Sequence, residues 1–198
     1  MKRTVILAVV SICSCLPSCK NQTKQSNKTA LTSSLSEQLE KLEKRTDSNW
    51  AKMMDSDRLK FDNMKRLVAE LKLVEGSNQQ NLEKILLKIN AIDSVRYSQR
   101  GISAPGVIDR FDAVTNDIWM ALRQEVSSTK KASEFQIISN ILIPEIQQAD
   151  DSVLFYRKDY DRTVDSLNLF VRENKKRLRK EVPGIDTVKP LPVFRVVQ

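Results

Sequence analysis

The sequence predicts an all-α protein, an elongated antiparallel helical bundle with long, kinked helices, and three observations carry that expectation. Across residues 146–178, apolar side chains return at Ile146, Ala149, Val153, Tyr156, Tyr160, Val164, Leu167, Val171 and Leu178, and Asn174 alone breaks the run. Spacings of three and four sustained over about nine turns put one stripe along a helix that packs on other helices. Upstream stretches repeat the pattern, and none shows the period-two alternation of a half-buried strand.

The chain starts with material that does not belong to the bundle. Lys2 and Arg3 are a basic start, residues 4–16 are apolar, and Leu16-Pro17-Ser18-Cys19 ends the run with a small residue before cysteine. This is the pattern of a secretory signal peptide. Its apolar run of about 13 residues falls short of the ~20 that span a bilayer as a helix. The Leu-Pro-Ser-Cys ending resembles the lipobox of bacterial lipoproteins, with Pro17 an uncommon occupant of its position. That resemblance implies cleavage before Cys19 and acylation of Cys19, by palmitate or a similar chain. Cys13 and Cys15 would leave with the leader, so no thiol remains for a disulfide or a metal. Several acyl chains hold a protein on a membrane stably where one does not.

Residues 20–32 are rich in Asn, Gln, Lys, Ser and Thr and too polar to order themselves, so they read as a tether. A first helical region runs from near Ser34 toward Glu75 through Leu35, Leu39, Leu42, Trp50, Met53, Phe61, Met64, Leu67, Val68 and Leu71. Its spacing weakens over residues 44–49, where Asp47-Ser48-Asn49 is a possible interruption, and Ser36, Gln38 and Glu40 offer cap chemistry. Gly76 stops it. Ser77 is the expected cap of a second helix carrying Leu82, Ile85, Leu86, Ile89, Ile92 and Val95. Residues 100–106 hold two glycines and a proline and read as a turn. A third helix spans residues 107–126 through Ile108, Phe111, Val114, Ile118, Leu122 and Val126, with a polar link over 127–132. Ser133 restarts the helix, and Pro144 predicts a kink or a break at Ile143. Pro183-Gly184 ends it, leaving an extended segment at 190–194 that either lies in a groove or frays. The expected organisation is therefore a signal peptide at 1–18, a lipidated tether at 19–32, a helical bundle at 33–182 and an extended tail at 183–198.

Charge follows the same division. The chain carries +8, and removing Lys2 and Arg3 leaves +6. Residues 171–198 account for +5 of this, through eight basic residues against Glu173, Glu181 and Asp186. A basic patch at Lys175, Lys176, Arg177, Arg179 and Lys180 either touches an anionic membrane or polymer surface or simply complements the dipole of the helix end.

Histidine is absent, which removes the commonest general base and metal ligand, and four glycines cannot supply a phosphate loop beside the turns. Glu-x-x-His pairs for a two-metal site cannot exist. No catalytic residue, metal, cofactor or small-molecule substrate is therefore expected, and export argues against nucleic acid. A hydrolase would need a concave pocket with convergent acids. Trp50 and Trp119 read as core or interface residues.

One motif is more specific. Along one edge of the last apolar stripe lie Asp150, Arg157, Asp161 and Asn168, and residues 157–168 read Arg-Lys-Asp-Tyr-Asp-Arg-Thr-Val-Asp-Ser-Leu-Asn. This resembles the C-terminal signature of LemA family proteins, R-x-x-Y-N-x-x-V-x-x-Y-N. Arg157, Tyr160, Val164 and Asn168 match, while Asp161 stands for Asn and Leu167 for Tyr. Asn49-Trp50, the segment 62–68, Val95-Arg96 and Pro192-Val193-Phe194 are similar to further family features in the same order. The resemblance implies a membrane-anchored helical bundle outside the cytoplasm, though the family usually anchors by a helix, and the family's molecular role is poorly defined. Physically, Arg157, Tyr160, Asp161, Val164 and Asn168 are candidates for an interaction or register site, with the polar members expected to bond the first helix or to be plain surface charge. The expected protein is a non-enzymatic lipid-anchored scaffold or interaction module of the bacterial envelope, in the outer membrane facing the periplasm. Its partners would be the membrane, through lipid, and either another protein or a second copy of itself. The alternative is a membrane- or polymer-surface binding module that uses the basic patch.

Overall fold

The structure is a computed structural model of the 198-residue chain and describes residues 34–129 and 133–194. The expected signal peptide, Cys19 and the expected tether lie outside the described residues. Four α-helices follow one another: α1 (Leu35–Leu73), α2 (Gln79–Asn90), α3 (Val107–Ser128) and α4 (Ser133–Glu181). Short 3-10 turns occupy Ile92–Val95, Gly101–Ser103 and Ile185–Thr187, and the described residues contain no strand. None of these helices is long and apolar enough to cross a membrane.

Helix α1 starts at a capping box at the expected place, near Ser34. The Ser34 hydroxyl accepts from the Glu37 amide and the Glu37 carboxylate from the Ser34 amide, so Ser34 rather than Ser36 is the cap. The helix does not break at residues 47–49. Thr46 and Asn49, polar but buried, continue the apolar stripe there: Thr46 donates to the Leu42 carbonyl and Asn49 to the Asp159 carbonyl. Two polar residues can occupy a packed face when their bonds are met inside it. Gly76, at φ 79°, ends the region as expected. Asn78, not Ser77, caps α2 by accepting from the Asn81 amide. That helix ends at Asn90, and the apolar residues Ile92 and Val95 continue it only as a 3-10 turn.

Helix α4 is 49 residues long, roughly 73 Å at 1.5 Å per residue, and passes through Pro144 without a break. Proline has no amide hydrogen to give the Asn140 carbonyl. Leu142 and Ile146 flank it, each about 1% exposed, and their burial holds the helix together where the backbone bond is lost.

The bundle is organised on the pairing of α1 with α4. Ser36 meets Glu181, Asn49 meets Asp159, Ser56 donates to the Ala149 carbonyl at 2.9 Å, and Arg66 faces Glu145. Residue numbers rise along one helix as they fall along the other, so the two run antiparallel. The shorter α2 and α3 pack beside this pair. The main core gathers Met53, Met64, Leu67, Leu71, Leu82, Ile89, Phe111, Ile118, Leu122, Ile146 and Tyr160. A second cluster of Leu35, Leu39, Leu167, Leu178 and Ile185 closes the end where α1 begins and α4 finishes. Packing at this density makes large truncations expensive. Leu67→Ala, at a fully buried position, is expected to lower the free energy of unfolding by about 2–5 kcal/mol in a urea titration, against less than about 0.5 kcal/mol for Leu73→Ala on the surface.

Candidate interaction site

Helix α4 presents its polar edge where the Ile92–Val95 turn, α3 and the C-terminal segment converge. Arg157 is only 6% exposed, yet it carries a charge. A guanidinium in that position needs partners, because removal from water costs several kcal/mol unless opposite charge and hydrogen bonds replace the lost hydration. Asp112 of α3 supplies them as a two-pronged acceptor at 2.8 and 2.7 Å, and the Tyr97 hydroxyl accepts from Nη2 at 2.9 Å. Burial weakens the guanidinium's hold on its proton, but Asp112 and Tyr97 outweigh this and drive its pKa upward, so it stays charged. Burial raises the Tyr97 phenol despite Arg157 beside it.

Aromatic rings surround this pair. Phe194 lies with its ring 5.1 Å from the Arg157 guanidinium and stacks on Trp50 at 6.0 Å. Tyr160 meets Trp50 edge-on at 5.3 Å, and Tyr97 meets Phe111 at 5.1 Å. Guanidinium over an aromatic face is favourable, and edge-to-face rings add to burial. The residues 190–194 do not fray. Asp161 accepts from the Phe194 amide at 2.8 Å, and Asn168 both accepts from the Leu191 amide and donates to its carbonyl, at 3.0 and 2.8 Å.

The structure therefore brings Arg157, Tyr160, Asp161, Val164 and Asn168 to one side of α4 and gives the polar ones structural partners. Arg157 and Asn168 bond α3, Tyr97 and the C-terminal segment rather than the first helix, a correction to their expected role. The reason is steric: the first helix is met by the apolar stripe, with Tyr160 and Val164 fully buried in it, and the polar edge turns one step away. Arg157 is likewise bound to Asp112 rather than paired with Asp161 one turn along.

Residues that the motif did not reveal complete the site. Lys60 of α1, 3% exposed, places its ammonium 3.0 Å from Asp57 and 2.9 Å from Asp150 of α4. Asp57, itself buried, also binds Arg96 at 3.0 Å. Their signal was present: Met53, Asp57, Lys60 and Met64 keep helical spacing, so both charged residues stand in line with the apolar stripe. Beside this cluster, α1, α3 and α4 enclose a pocket of about 170 Å³ whose walls include Lys60, Asp112, Thr115, Trp119, Asp150 and Arg157. Its two carboxylates are both engaged, Asp112 by Arg157 and Asp150 by Lys60. Among the described residues no group of three or more acidic, cysteine or histidine side chains could hold a metal ion.

At the basic end, Asp186 takes up two of the expected patch residues, Arg179 at 2.7 Å and Lys175 at 3.6 Å. Arg172, Lys176, Arg177 and Lys180 are exposed around them. No family model, curated protein or solved structure matches the chain.

Two outcomes follow from the buried pair. Asp112 is 47% exposed and can rehydrate alone, whereas Arg157 cannot. Asp112→Ala is thus expected to destabilise by about 3 kcal/mol or more and Arg157→Met by less, in urea unfolding; equal losses would contradict the asymmetry. The Tyr160 hydroxyl is buried beside Gln99 without a well-formed hydrogen bond, and burial pushes its pKa up to about 12. A phenol whose folded pKa is raised contributes stability below its unfolded value near 10 that is lost as pH rises toward 12. Tyr160→Phe is expected to flatten the alkaline loss of thermal stability between those limits, measured as the difference from the parent at each pH.

Proposed function

We propose that this is a LemA-like, lipid-anchored helical protein of the bacterial cell envelope, which presents its bundle for protein contact rather than for chemistry. The observation that carries the reading is the run from Lys2 through residues 4–16 to Leu16-Pro17-Ser18-Cys19, a basic start, an apolar segment too short to span and a cysteine placed for acylation. The ordered residues of the resemblance support the kinship, and the Pro192-Val193-Phe194 feature and the Arg157 motif are in contact with each other in the fold.

The surface supports a role in contact. Ile137 and Ile141, one turn apart on α4, are 67% and 54% exposed, and Leu154 and Phe155 further along are 52% and 57% exposed. Large apolar side chains left in water on one helix are the usual material of a protein interface. The polar groups with reactive potential are instead committed to one another in ion pairs.

Fatty-acid labelling of growing cells tests the anchor. The parent chain is expected to carry label and to need detergent for extraction, while Cys19→Ala carries none and leaves the membrane with salt alone. Label retained by Cys19→Ala, or an unlabelled parent, overturns the reading.

A further inference from the structure

The antiparallel pairing of α1 with α4 brings the start of one helix to the finish of the other. The chain enters the bundle at Ser34, and the Ser36 amide donates to the Glu181 carboxylate at 3.2 Å. Leu35 and Leu39 share a cluster with Leu178 and Ile185. The point from which the 15 residues lead back to Cys19 is therefore the same end of the bundle that carries the basic turns of α4.

Charge is distributed to match. Between residues 35 and 171 there are twenty-two acids and twenty bases, so the body of the bundle is slightly negative. From 172 to 198 there are eight bases against three acids, and from 19 to 34 there are Lys20, Lys24 and Lys28 with no acid. Among the described residues at the finish of α4, Arg172, Lys175, Lys176, Arg177, Arg179 and Lys180 stand against Glu173, Glu181 and Asp186, a surplus of three positive charges at that end. On α4, Arg172, Lys175, Lys176 and Arg179 fall on one face, away from buried Leu178, along roughly 12 Å of helix. Asp186 offsets Lys175 and Arg179 in part, leaving Arg172, Lys176, Arg177 and Lys180 exposed to solvent.

We infer that this end of the bundle docks on anionic phospholipid headgroups of the membrane that holds the anchor. The inference rests on the lipid-anchor reading for its second point of attachment. A cluster of bases acts only within about a Debye length, about 8–10 Å at physiological salt, so charge alone holds an isolated protein weakly. Cys19 lies only 15 positions before Ser34 in sequence, so a lipid there converts the second contact into an intramolecular one at about millimolar effective concentration. Lipid and basic surface together are the two signals that stable attachment takes. A body of slight negative charge is repelled by the same surface, so the bundle stands with its basic end down and its exposed α4 side chains, Ile137 and Ile141 near the opposite end of that helix, away from the membrane.

The test uses residues 19–198 with Cys19→Ala, so that neither an acyl chain nor the apolar leader contributes, sedimented with vesicles of phosphatidylcholine alone or of phosphatidylcholine and phosphatidylglycerol in equal parts. Binding is expected on the anionic vesicles, on the order of tenfold or more above the neutral ones, and to fall with added salt. Adding Arg172→Gln, Lys176→Gln, Arg177→Gln and Lys180→Gln is expected to abolish the difference, with the circular dichroism and thermal midpoint showing that the bundle is intact. Lys84→Gln with Lys88→Gln, on α2, is expected to leave it unchanged. Equal binding to both vesicles, an unaffected α4 variant, an equal loss in the α2 variant, or binding only to a soluble polyanion overturns the inference. Labelling at Cys19 is read separately, so a failed dock and a failed anchor give different results.

Discussion

A buried guanidinium cannot be left unpaired, and the charge of Arg157 sits where the last helix, the third helix, the turn at Tyr97 and the C-terminal segment meet. Each of these segments contributes something that the charge requires. Asp112 neutralises it with two parallel bonds, Tyr97 accepts a third, and Phe194 covers its face. Trp50 from α1 then stacks on Phe194. The arrangement is demanding in one direction above all, since the half-exposed Asp112 can rehydrate alone whereas the buried guanidinium without Asp112 would be left unpaired. A segment of five residues with no regular structure is thereby made part of the core. Its backbone bonds go to Asp161 and Asn168, whose side chains take the place of a neighbouring strand.

The same logic governs the long seam between α1 and α4. Apolar side chains provide most of the attraction but little discrimination between one register and another, because a slip by one turn replaces Leu with Val or Ile at modest cost. Polar groups at packed positions discriminate strongly. Asn49 bonds the Asp159 carbonyl, Ser56 bonds the Ala149 carbonyl, and Lys60 reaches Asp150 while held by Asp57. A displaced register would leave these groups buried without partners, which is far more costly than imperfect packing. The buried charges thus contribute more to the uniqueness of the fold than to its net stability.

Much of this fold was legible in advance from periodicity, since three- and four-residue spacing locates all four helices and positive-φ glycines end two of them, Gly76 and Gly184. The apparent gap in α1 arose from reading only apolar residues as core. Thr46, Asn49, Asp57 and Lys60 belong to the stripe, and their burial depends on partners far along the chain that no local window contains. Of the two outcomes expected at Pro144, a kink or a break, the break does not occur, because proline's effect on a helix is local while the packing of Leu142 and Ile146 that holds the helix continuous is not. For the candidate site, the spacing of Arg157, Asp161 and Asn168 identified the edge that matters. Their partners lie 45, 33 and 23 residues away, at Asp112, Phe194 and Leu191, and an extended Pro-Leu-Pro-Val-Phe segment carries no local sign of whether such acceptors await it.

A bundle built this way divides its charge between two uses. Inside, opposite charges are spent on one another to fix one packing; outside, the unmatched bases gather at the end where the chain leads back to Cys19. Both depend on the polar-aromatic node being part of the fold rather than an attachment to it. Unfolding of Phe194→Ala in urea, followed through Trp50 in the node and Trp119 in α3, measures this most directly. Loss of the ring is predicted to lower the midpoint for both tryptophans together, by about 3–5 kcal/mol of unfolding free energy. A midpoint within about 0.5 kcal/mol of the parent would show that the bundle stands without its C-terminal segment.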